Sequence, residues 1–89
     1  MVKITVAASG QDVYRVTLED GESSTTHDVT VTADDVERYA SGASVEQLVE
    51  ASFRFLLERE PKESILSRFQ LPVIERYFSD YPAKIREKL

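Results

Sequence analysis

Residues 44–61 read Ser44-Val45-Glu46-Gln47-Leu48-Val49-Glu50-Ala51-Ser52-Phe53-Arg54-Phe55-Leu56-Leu57-Glu58-Arg59-Glu60-Pro61, a start, a body and a stop for one helix. Ser44 with Gln47 three residues on is a capping box, in which each side chain satisfies a backbone N–H that the first turn leaves unpaired. Pro61 disfavours the helical region for the residue before it and clashes with the preceding turn, so the helix ends at about Arg59. Between these signals Val45, Leu48, Val49, Phe53, Phe55, Leu56 and Leu57 cover more than one stripe. Such a helix must pack on a sheet and on other helices at once. Glu50 and Arg54, an i,i+4 pair in the favourable order, mark its narrow solvent side.

Upstream the apolar period is two. Val2, Ile4, Val6 and Ala8, then Tyr14, Val16 and Leu18, then His27, Val29 and Val31 predict three strands with one buried face. A two-residue hairpin loop at Asp20-Gly21 pairs Leu18 with Ser23, Val16 with Thr25 and Tyr14 with His27, which keeps the buried sets on one side. A two-residue loop at Gly10-Gln11 would put them on opposite sides. That corner therefore needs an odd loop or a bulge using Gly10. At Thr32 the period changes to 3.6: the Thr32 hydroxyl and the acids Asp34 and Asp35 open a short helix to about Ala40, and Gly42 supplies a left-handed residue after it.

Downstream, Pro61 suits the first position of a new helix carrying Ile65, Leu66 and Phe69. The pattern restarts at Leu71-Pro72 with Ile74 and Phe78, and Pro82 opens a last helix with Ile85 and Leu89 on one side. The expected fold is α+β, an N-terminal three-stranded antiparallel meander packed on the central helix and followed by short C-terminal helices.

At 89 residues the chain is one domain, 1–89, and its 42% hydrophobic and 30% charged composition is that of a globular protein. It contains no cysteine and one histidine, which excludes disulfides, thiolate metal sites, cysteine nucleophiles and multi-histidine centres. The net charge of −5 is uneven: residues 1–59 carry 5 Lys and Arg against 11 Asp and Glu, residues 60–89 carry 6 against 5. An acidic front repels phosphate and anionic lipid. The apolar stretch after Met1 is too short for a signal core, and no run approaches membrane-span length, so the expectation is a cytoplasmic chain with no membrane association.

Few side chains invite chemistry. His27 could serve as a base with Glu19, Asp20 or Glu22 orienting it, but it sits on a strand with no recognisable nucleophile, which favours a structural role. Glu58, Glu60 and Glu63 are dense enough for a carboxylate pair yet alternate with Arg59 and Lys62, as ion-paired surface does. Asp34, Asp35 and Glu37 lack the calcium-loop pattern, and no glycine run cradles phosphate. Enzymatic activity, catalytic residues, cofactors and metals are accordingly not expected.

Residues 63–78 resemble a degenerate helix-turn-helix joined at Gln70-Leu71-Pro72, with Arg68, Arg76, Lys84 and Arg86 as phosphate contacts. Gln70 stands where the turn glycine belongs, and Glu75 would face the phosphates. Nucleic acid is thus the second reading. The run Phe55-Leu56-Leu57-Glu58-Arg59-Glu60-Pro61-Lys62-Glu63-Ser64-Ile65-Leu66, with Phe69, Ile74, Tyr77 and Phe78 after it, resembles a family of small bacterial proteins with no assigned function. The resemblance covers about the C-terminal half and implies a prokaryotic, cytosolic single domain, with no activity, ligand or site residue to carry over. The leading expectation is a protein-binding or adaptor module. Its partner is another protein or a second copy in a homodimer, contacted by Tyr77, Tyr81 and Ile85 on the tail that lacks excess negative charge.

Overall fold

The computed structural model describes residues 2–89. Three strands, β1 (Lys3–Gly10), β2 (Val13–Asp20) and β3 (Ser23–Thr30), form the antiparallel meander read from the alternation. Two helices follow, α1 (Ala33–Tyr39) and α2 (Val45–Leu57), then a single 3₁₀ turn at Lys62–Ser64. A fourth strand β4 (Arg68–Gln70), α3 (Val73–Tyr77) and α4 (Tyr81–Lys88) complete the chain. Both N-caps form as expected: Ser44 closes its capping box with Gln47, and the Thr32 cap goes further, closing a reciprocal box with Asp35. The central helix ends two residues before Arg59, with Glu58 as its cap.

Both corners follow backbone sterics. The first carries a bulge between Ala8 and Gly10, which keeps Ile4, Val6 and Ala8 opposite Leu18, Val16 and Tyr14 on one face. In the second the loop is Gly21-Glu22 rather than Asp20-Gly21, and Leu18 pairs with Thr25, Val16 with His27 and Tyr14 with Val29. Only Gly21 of the two loop residues has a positive φ, +64°. A loop with glycine first needs one left-handed residue, whereas Asp20-Gly21 as a type I′ turn places an aspartate there too. The shift moves each partner by two positions, so the buried face is unchanged.

The larger departure is β4. The segment expected to hold the first helix of a helix-turn-helix instead runs parallel to β3, Asp28 beside Arg68, Val29 beside Phe69 and Thr30 beside Gln70. The Asp28 N–H donates to Ser67 C=O at 2.8 Å and the Leu71 N–H to Thr30 C=O at 3.0 Å. Just before it, the Leu66 carbonyl lies 2.8 Å from His27 Nδ1. A carbonyl only accepts, so Nδ1 carries the proton; in the neutral ring Nε2 then accepts from the Thr25 hydroxyl 2.8 Å away. His27, buried on the inner face, is the pin that fastens the C-terminal half to the meander. The long-range ladder outweighs the local helical pattern.

The core lies between the sheet and α2. Val16, Leu18, Val29, Leu48, Val49, Phe53 and Phe55 are fully buried, and α4 closes the far side of α2 through Tyr81 and Ile85. The Ser52 hydroxyl donates to Leu48 C=O at 2.7 Å and also lies 2.6 Å from the Tyr81 hydroxyl. Because the serine has one proton, Tyr81 is the donor of that second bond. The Tyr39 hydroxyl donates to Glu75 at 2.7 Å and ties α1 to α3.

Burial, then the bond to Glu75, pushes the Tyr39 phenol up to about 12 from 10.0, and burial pushes Tyr81 higher still. The unfolded chain therefore loses these protons first on raising pH. The tyrosine contribution to stability is intact below pH 10 and falls above it, by about 1.4 kcal/mol per pH unit for each group. Guanidinium unfolding at several pH values from 9 to 11 should show that decline in the wild type and a shallower one in a Tyr39→Phe, Tyr81→Phe double variant. Identical slopes would refute the assignment.

Candidate functional site

Between the end of α2, the 3₁₀ turn, β4 and α3 lies a cleft of about 220 Å³. Its apolar lining comes from Leu56, Ile65, Phe69 and Ile74, with Leu66, Val73, Tyr77 and Phe78 around them and Glu60 and Ser64 as polar members. Local sequence produces this arrangement. Pro61 turns the chain off α2, and in the extended stretch that follows neighbours point to opposite sides, so Ile65 enters the core while Leu66 faces out. The His27 bond to Leu66 and the β4 ladder fix that stretch. Pro72 then starts the five-residue α3, whose Ile74 is buried and whose Tyr77 is 69% exposed. Leu66, at 46%, is the other large apolar side chain exposed here.

Of the three residues expected to contact a partner, only Tyr77 is accessible. Tyr81 and Ile85 are both 0% exposed, and this corrects the reading of them as surface. The apolar surplus of the tail goes into covering the outer side of α2, where the Tyr81 ring meets Phe55 and Tyr39 at centroid distances of 5.3 and 5.1 Å. The Arg59 guanidinium stacks 3.7 Å over Phe55 and bonds Asp80 at 2.8 Å, closing the same seam. Leu66 was missed: read as a helix, the segment puts it in one apolar turn with Ile65 and Phe69, and only the extended backbone turns it outward.

The four cations proposed for nucleic acid do not share a recognition element. Arg68 is on β4, Arg76 on α3, and Lys84 and Arg86 on α4, where two residues turn the helix by about 200°. No helix-turn-helix frames them, since β4 replaces its first helix and α3 has five residues. The carboxylates around Pro61 also diverge. Glu58 accepts from Lys88 at 2.8 Å, and Glu63 accepts from Lys62 and from Ser23 at the β2–β3 hairpin. Those lysine bonds are the main reason both acids are held below the usual carboxylate range. Among the described residues no group of three or more histidine or acidic side chains is placed to hold a metal ion, and no helix is long and apolar enough to cross a membrane.

A second depression, of about 810 Å³, is broad and polar. It runs beside β1 past Val6, with Glu46, Glu50 and Arg54 from α2 and Arg86, Lys88 and Leu89 from the chain end. No protein-family model matches the sequence, and no curated protein or solved structure is significantly similar to it.

Proposed function

We propose that this chain is a non-catalytic protein-binding module that receives one or two apolar side chains of a partner segment in the cleft over Leu56, Ile65, Phe69 and Ile74. The observation that carries the reading is the exposure of Leu66 and Tyr77 at that one cleft, two of the three large apolar side chains open to solvent among the described residues. Solvent-facing apolar groups beside a concave apolar floor are what a docking anchor needs. Size agrees. A cavity of roughly 150 Å³ accepts benzene, and clefts for larger ligands run to about 300–1,000 Å³, so 220 Å³ suits a side chain better than a cofactor.

Charge selects further. The cleft belongs to the half of the chain without acidic excess, and the exposed Arg76 stands beside Tyr77 on α3, whereas Arg68 lies with Asp28 on the outer face of the sheet. The favoured occupant is an apolar anchor flanked by acidic residues. The setting proposed for this module is the bacterial cytosol, on the resemblance of its C-terminal half.

The test is a peptide-display selection against the purified chain, followed by fluorescence anisotropy with the selected peptides. Selected sequences should share a large apolar residue with acidic neighbours, and Leu66→Ser and Tyr77→Ser should each weaken binding by about tenfold or more. Unfolding free energy should change by less than about 0.5 kcal/mol for Tyr77→Ser, as at other exposed positions. Peptides that bind both variants as tightly as wild type would overturn the reading.

A further inference from the structure

The two edges of the sheet are not alike. The β4 edge is three residues long, whereas the β1 edge runs for eight, with one charge, Lys3, and no proline. Natural proteins shorten, charge or cover such an edge, because its unpaired backbone groups are a template for another strand.

The ladder shows which groups are unpaired. Asp28 N–H and Thr30 C=O point to β4, so His27 and Val29 point to β2 and exchange bonds with Val16 and Tyr14. Arg15, Thr17 and Glu19 then face β1, where they pair with Ala7, Thr5 and Lys3. By the same alternation the N–H and C=O groups of Ile4, Val6 and Ala8 point outward. Among the described residues no backbone group from elsewhere in the chain bonds to them. Their row is also covered less than its neighbours: Ile4 and Val6 are half-buried on the face where Val16 and Leu18 are fully buried.

We infer that β1 pairs antiparallel with β1 of a second copy, across a two-fold axis at Val6, to form one continuous eight-stranded sheet. In that register Val6 pairs with Val6 of the second copy and Ile4 with Ala8. Every outward donor and acceptor of the three residues is used, and Lys3 lies opposite Ser9 rather than opposite its own copy. The bulge at Ser9 and Gly10 lies at the rim of the paired stretch.

Charge on the flanking depression permits the same operation. It carries both signs, Glu46 and Glu50 with Arg54 and Arg86, so a second copy brought alongside by a two-fold axis normal to the sheet meets no single-sign surface. This interface does not involve the Leu66 and Tyr77 cleft.

Sedimentation velocity with multi-angle light scattering across a concentration series tests the pairing. The wild-type mass should rise from 10.1 kDa toward twice that value. Val6→Pro removes a central outward donor without breaking the β1–β2 ladder, and Ala8→Lys puts a charge opposite Ile4 at an exposed position. Both should stay monomeric over the same range, with Ala8→Lys deciding if circular dichroism shows Val6→Pro unfolded. Tyr77→Ser should dimerise as wild type does. A wild type that stays at monomer mass at millimolar concentration, a folded Ala8→Lys that still dimerises, or a dimer abolished by Tyr77→Ser would each overturn the proposal.

Discussion

Phe53→Ala is expected to lower the free energy of unfolding by about 3–5 kcal/mol, the range for removing a fully buried ring from a core that relaxes only partly. The size follows from position. Phe53 is 0% exposed, and its ring lies 5.6 Å from His27 on β3 and 5.9 Å from Phe69 on β4. It joins the central helix both to the meander and to the strand added from the C-terminal half. Losing it should weaken both halves together, so urea unfolding followed by circular dichroism and by tyrosine fluorescence should remain one coincident transition at a lower midpoint. A cost below about 1 kcal/mol, or separate transitions for helix and sheet, would contradict this packing.

Tyr81→Ala should cost a similar amount, about 3–5 kcal/mol by analogy with other buried aromatic truncations. Its ring fills the seam between α2, α1 and α4, and its hydroxyl donates to Ser52 in the interior. Tyr81→Phe keeps the ring and removes only that bond, so its cost should be about 0.5–1.5 kcal/mol. The contrast between the two variants in chemical denaturation separates packing from hydrogen bonding. A Tyr81→Ala protein as stable as wild type would return this residue to the surface.

That residue also shows where sequence reasoning stops. The strands, both helix N-caps and the need for a bulge near Gly10 were legible because each follows from neighbours within a few positions. Counting large apolar groups in the tail gave a surplus, but it took the core to be filled by the meander and α2. The outer side of α2, with Phe55 and Ser52 at 0% exposure, needed a cover of its own, and α4 supplies it. The strand β4 was illegible for a different reason. Its partner lies some forty residues earlier, and a parallel ladder leaves no turn signature to read. The same pairing dissolves the helix-turn-helix and creates the cleft. His27, buried on the inner face, carries the one bond that locates Leu66, while Thr25 holds the other ring nitrogen, yet nothing local to it announces a partner thirty-nine positions away.

The most direct test of the cleft as the recognition surface is a ¹H–¹⁵N correlation spectrum of the labelled chain, titrated with a peptide selected for binding. Shifts concentrated on Glu60, Ile65, Leu66, Phe69, Ile74 and Tyr77, with β1 and the Gly21-Glu22 loop unmoved, are the predicted result. Shifts confined to β1 or to that loop, with residues 60–78 silent, would contradict it.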